Sequence, residues 1–174
     1  MSATTLTPRK IAGYGWRPDL PDIRDLLYAA PHVVASTLPP AVDLRPQCPP
    51  VFDQGQLGSC TGNAIAGAIA FDQRKQGLPE IAPSRLFIYY NERVMEGTTD
   101  SDAGAQLRDG IKSVHKLGVC PETKWAYDIA QFAARPPDVC YTDALAHTVA
   151  NYKRVARDLT QMRACLADLS LIHI

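Results

Sequence analysis

The stretch that most constrains the fold is CTGNAIAGAIAFDQRKQG, residues 60–77. Ala64, Ile65, Ala66, Ala68, Ile69 and Ala70 put apolar surface nearly all the way round a helix. A helix without a polar face predicts a central, buried element with partners packed around it. Its many small side chains let neighbouring backbones come close, and Gly77 is a stop signal. Its longest apolar run, 64–71, falls far short of the ~20 residues that cross a bilayer.

The partners follow along the chain. SRLFIYYNERVMEG predicts a second helix, capped by Ser84 after Pro83 and ended by Gly97. A third is expected from about Gly104 to Leu117, with Leu107, Ile111 and Val114 on one face and Gly118 closing it. PETKWAYD reads as a turn and RPPDVC as a breaker. DALAHTVAN fits a strand or a short helix. NYKRVA alternates as a strand does, and Asp158 caps a short amphipathic helix, DLTQMRACLAD. Nine of the 14 prolines lie in residues 1–50. Proline removes an amide donor and restricts its predecessor, so this region should be extended, with at most a helical turn near Asp22–Tyr28. A boundary is expected near Ala35–Thr37.

At 174 residues the chain is near the size of one domain, by a prior of about 150 residues each. Lys+Arg and Asp+Glu both count 18, leaving no basic field for nucleic acid or an anionic membrane. No secretory signal is visible in MSATTLTPRKIAGYGW, so the default expectation is cytoplasmic, with export left open. The five cysteines, Cys48, Cys60, Cys120, Cys140 and Cys165, are an odd number without a CxxC or zinc-finger spacing. No metal or cofactor is expected, and at least one thiol stays free.

The chemistry lies in PVFDQGQLGSCTG, residues 50–62. Cys60 stands where the buried helix begins. A helix start carries partial positive charge and unpaired amides, which favour a thiolate, the nucleophilic form. The Cys60 amide could donate to an oxyanion formed at its own sulfur. Gln54, six residues upstream, could supply a second donor across a loop that Gly55 and Gly58 keep slim. The plain alternative is a buried, inert cysteine at the head of a core helix.

LPPAVDLRP (38–46) and DQGQLGSCTGNA (53–64) resemble the mature start and the nucleophile block of the papain-like cysteine peptidases, nearer the bacterial branch. DAGAQLRDGIKSVHKLGVCPETKWAYD (102–128) resembles the family's glycine-rich cleft wall, helix and aromatic turn. The resemblance implies an α+β papain-like fold, here mainly the helical half with little of the β-barrel half. It implies Cys60 as nucleophile, Gln54 in the oxyanion hole, and Gly58, Ser59 and Gly104 in contact with a peptide or protein substrate. It divides the chain into an arm or short pro-segment (1–37), the first part of a peptidase domain (38–168) and a non-native tail (169–174). Leu57 stands where the family commonly has a cleft-wall disulfide cysteine, and Thr61 where an aromatic usually follows the nucleophile.

The family's histidine lies roughly 130–150 residues after its cysteine, but only 114 residues follow Cys60. His115 and His147 come too early, His32 precedes the domain, and His173 lacks suitable neighbours. LSLIHI resembles translated adapter sequence. The expectation is therefore an N-terminal piece of a thiol endopeptidase, inactive alone and exposing apolar surface where the other half would pack. A non-catalytic papain-like binding scaffold and an acyltransferase using the same thiol remain alternatives. Cleavage preference and oligomeric state are not encoded legibly.

Overall fold

A computed structural model of the chain describes residues 14–28 and 38–167. The elements run β1 (Trp16–Arg17), α1 (Cys60–Lys75), α2 (Arg85–Glu96), β2 (Ala105–Gln106), α3 (Leu107–Leu117), α4 (Asp138–Ala144) and α5 (Leu159–Ala167), with single 3-10 turns at Arg45–Gln47 and Ile129–Gln131. β1 and β2 pair in parallel, Trp16 opposite Ala105 and Arg17 opposite Gln106. This is an α+β arrangement dominated by helices. No helix among the described residues is long and apolar enough to cross a membrane.

α1, α2 and α3 pack on one another, and α2 also lies against β2. The more deeply buried helix is α2, not α1, although its Val94 and Met95 are exposed. Leu86, Phe87, Ile88 and Tyr89 are consecutive and at most 1% exposed. α1 buries Thr61, Gly62, Ile65, Ala66, Ala70 and Phe71, while Ala64 is exposed and Gly67 and Ala68 are half-buried. Those small residues, with Cys48–Phe52, line a groove of about 390 Å³. The small residues do permit the expected close approach: a Cβ on Gly62 would lie 2.9 Å from the Arg85 carbonyl oxygen.

Local signals set α2. The Ser84 hydroxyl accepts from the Phe87 amide at 3.2 Å, and Gly97 ends the helix at φ 68°. α3 begins at Leu107, three residues later than its pattern suggested, because Ala105 and Gln106 are drawn out as a strand beside β1. DALAHTVAN contributes the end of α4 and then a turn. NYKRVA is not a strand. Only Arg154 forms a bridge, to Leu27, since an alternating run needs a partner along its whole length. Asp158 does cap α5, accepting from the Gln161 amide at 3.0 Å. Near Asp22 there is one turn, Asp25 N–H to the Asp22 carbonyl at 3.2 Å. The boundary at Ala35–Thr37 and the tail 169–174 lie outside the described residues.

Arg93 and Glu92 are both fully buried in α2. Arg93 donates to the Tyr89, Thr99 and Ser101 carbonyls at 3.1, 2.9 and 3.1 Å, and to that of Phe132. One cation thereby satisfies the loop after α2, as a buried charge requires.

Candidate active site

Cys60 opens α1 and is half-buried. The loop before it is closed by short-range bonds. The Gly55 amide donates to Asp53 Oδ1 at 3.0 Å, and Gly55 turns at φ 61°. Gln54 Nε2 donates to the Leu57 carbonyl at 3.0 Å. Ser59, fully buried, precedes the helix but does not cap it with its side chain. Its hydroxyl instead meets Tyr127 Oη and accepts from Asn63 Nδ2 at 3.1 Å. Tyr127 in turn donates to the Gln54 carbonyl at 2.9 Å. Arg85 holds the outside of this loop through the Asp53 carbonyl at 3.0 Å, its guanidinium 3.9 Å from the Tyr127 ring centre.

A second set of bonds ties the loop to the stretch before β2. The Gly58 amide donates to both oxygens of Asp102, at 3.0 and 2.9 Å. Tyr89 donates its phenol proton to the same carboxylate and accepts from the Gly104 amide at 3.2 Å. Burial and the Asp102 carboxylate hold the Tyr89 phenol well above its usual range, so it stays a donor. Asp102 thus ties one wall, the loop of Gly58, to another, the stretch before β2, and to α2. Leu57 is 5% exposed and packs with Leu86, Tyr89 and Ala105. Pattern reading missed Asp102 and Tyr89; the only signal was an acid two residues before Gly104.

The cleft between these walls is occupied by the arm. The Gly15 carbonyl accepts from the Ala105 amide at 2.7 Å. A Cβ on Gly15 would lie 1.6 Å from the Gly58 carbonyl oxygen, and one on Gly104 would lie 1.9 Å from the Gly15 carbonyl oxygen. Gly104 also sits at φ 67°, where a side chain is strained. Gly58 and Gly104 therefore flank the backbone of Gly15. Burial raises the Cys60 thiol pKa, the Glu92 carboxyl adds to it, and the nearby Gly15, Thr61 and Trp16 backbone amides only partly oppose it. The thiol is held above its ordinary pKa. The helix start alone does not make the thiolate that the sequence suggested, because desolvation outweighs the amides.

Behind Cys60, Thr61 donates its hydroxyl proton to Glu92 Oε1. Glu92 Oε2 has no hydrogen-bond partner among the described residues, and burial pushes the Glu92 carboxyl up to about 8. At neutral pH this group is mostly neutral. His115 is engaged at the end of α3, Nδ1 2.6 Å from the Val149 carbonyl oxygen and edge-on to Tyr152. The His147 backbone bonds those of Val119 and Ala144. Among the described residues no hydrogen bond links Cys60 to a histidine; His32 and His173 lie outside them. No disulfide joins any of the five cysteines; Cys48 is exposed and Cys120, Cys140 and Cys165 are buried.

No protein-family model matches the chain. It is 42% identical over 159 residues to an uncharacterized peptidase C1-like protein of Acanthamoeba polyphaga mimivirus, covering 82% of this chain and 51% of that protein. Its fold superposes on the crystal structure of xylellain, a cysteine protease from Xylella fastidiosa, with TM-score 0.83 and 48% identity, covering 95% of this chain and 66% of xylellain. A digestive procathepsin L 3 of the Tenebrio molitor larval midgut matches with TM-score 0.61 and 18% identity over 82% of this chain and 45% of that one, a likeness of fold alone. The chain spans about half the length of the viral relative and about two thirds of xylellain.

Proposed function

Because the chain belongs to the papain-like cysteine peptidase family and carries mainly the helical part of its fold, we propose that the whole protein hydrolyses peptide bonds with Cys60 as nucleophile. The Cys60 sulfur bonds to the scissile carbonyl carbon, and the carbonyl oxygen takes up negative charge. The Cys60 amide and the second amide hydrogen of Gln54 stabilise that charge. An imidazole takes the thiol proton and returns it to the leaving amine as the C–N bond breaks. Water then cleaves the thioester, releasing the acid and restoring the thiol. On this reading the imidazole is one that the described residues do not bring to Cys60: His115 Nδ1 lies 2.6 Å from the Val149 carbonyl oxygen, and no hydrogen bond links a histidine to Cys60 among them. By the same reading the described residues, with no histidine at Cys60, cut no peptide by themselves.

The observation that carries this reading is the path of Gly15–Arg17. An extended backbone already threads between Gly58 and Gly104 and pairs with β2. A site that accepts a strand in this way is built for a peptide. On this reading residues 1–37 are a pro-segment that keeps the site latent. The test is peptide hydrolysis by the full-length protein, with and without residues 1–37, and by its Cys60→Ala variant. Removal of the arm should raise the rate, and Cys60→Ala should abolish it, by at least about 10³-fold. An arm-free protein that cuts no peptide, or a Cys60→Ala variant that still does, would refute the reading.

A further inference from the structure

Glu96 ends α2, and its side chain is 5% exposed. Oε1 accepts from the Gln106 amide at 2.7 Å, so the carboxylate is fixed against β2. Oε2 faces the Arg17 guanidinium in an ion pair and has no other partner among the described residues. This is a poor place for an isolated negative charge. The carboxylate is nearly dry, and it stands at a helix C-terminus, which already carries partial negative charge. The other cation of that turn, Arg93, is committed to the Thr99, Ser101 and Phe132 carbonyls. Arg17, by contrast, comes from the arm and is 43% exposed along its side chain, so it enters from outside. When the arm leaves, Oε2 is left facing the cleft unpaired.

Arg17 is placed by register, opposite Gln106 on β2. Any extended peptide laid on Gly104–Gln106 offers one side chain at that position, whichever way it runs. We propose that Glu96 is a specificity-determining residue, forming an acidic subsite that selects an arginine or lysine at the substrate position facing Gln106. Arg17 is the arm's own occupant of that subsite. The inference rests on the peptidase reading for its substrate, though not for its binding. With Gly15 against Gly104 and Cys60, the selected position falls about one to three residues from the scissile bond, at roughly 3.3 Å per residue.

The experiment is a positional peptide library on the full-length protein and its Glu96→Gln variant, which keeps an oxygen for the Gln106 amide. The parent should prefer Arg and Lys over Gln by about tenfold or more in kcat/KM at one position, and Glu96→Gln should lose that preference. A parent with no such preference, or an equal preference in Glu96→Gln, would overturn the subsite. Binding is read separately with the peptide YGWRPDL (residues 14–20) and its Arg17→Gln form, on a full-length Cys60→Ala/Gly15→Ala protein. The arginine peptide should bind about tenfold tighter, and only while Glu96 is present. Equal binding would sink the proposal even if no peptide is cut, an outcome that would separately refute the peptidase reading.

Discussion

The three packed helices and the arm at residues 14–28 are held by different physics. α1–α3 are fixed chiefly by burial of Ile65, Phe87, Ile88 and Val114, contacts that carry no charge. The arm has almost no core. Leu20, Ile23, Leu26 and Leu27 are all exposed. It is held by backbone pairing at Gly15 and by charge: Arg108 to Asp25 at 2.7 Å, its amide to Asp19 at 3.0 Å, Lys112 to Asp22 and Arg154 to Asp25, each at 3.6 Å. An element fastened only by polar contacts can detach without unfolding what lies beneath it. That contrast is what a latent site requires.

The sharpest way to break the contrast is at Gly104. Gly104→Ala puts a Cβ into the path of any strand on β2 and strains a φ of 67°. It should expel the arm yet also block substrate, cutting kcat/KM of the full-length protein by about 100-fold or more. A fully active Gly104→Ala variant would mean that substrate does not run there. Next comes Asp102. Asp102→Ala removes the acceptor of the Gly58 amide and the Tyr89 phenol, and should cost about 2–3 kcal/mol in denaturant unfolding. No measurable loss would show that the two walls are joined by packing alone.

Glu92 tests the core. Its folded pKa, about 8, lies above the ordinary 4.5, so between those values the unfolded chain binds fewer protons. Its contribution is therefore full below about pH 4.5 and is lost as pH rises through 8. The slope is at most about 1.4 kcal/mol per unit. Glu92→Gln should flatten that decline, read from urea midpoints across pH; an unchanged slope would contradict the neutral carboxyl. The smallest effect is expected at Arg108. Arg108→Gln should loosen the arm by about 1–2 kcal/mol, seen as faster proteolysis near residues 14–28 with the thermal midpoint of the helices little changed. A falling midpoint without arm release would place Arg108 in the core's stability instead.

The same division decided what could be read from the sequence. Ser84, Gly97 and Asp158 act within a few residues of themselves, so their caps and stops were legible. The nucleophile block was legible because Gln54, Gly55, Gly58 and Cys60 sit in one short window. The arm's seat was not, because it is made by the backbone of Gly15–Arg17 paired with β2, which carries no side-chain signature. Its ion pair to α3, Asp25 with Arg108, spans 83 residues of chain. Glu92 and Glu96 carry no local sign of burial, and it is the packing of Gly110 and Gln106 against them that encloses them. The uniform apolarity of residues 64–71 pointed to α1 as the central helix. Bulk decided otherwise, since the large side chains Leu86–Tyr89 of α2 are all enclosed.

The most direct measurement is the rate at which iodoacetamide modifies Cys60 in the parent and in Gly15→Ala, read by peptide mass spectrometry with exposed Cys48 as the internal reference. The added Cβ cannot coexist with the Gly58 carbonyl while the arm is seated. Gly15→Ala should therefore open the cleft, relieve the burial that raises the thiol pKa, and speed modification of Cys60 by about tenfold or more while Cys48 is unaffected. Equal rates at Cys60 in the two proteins would contradict an arm seated over the nucleophile.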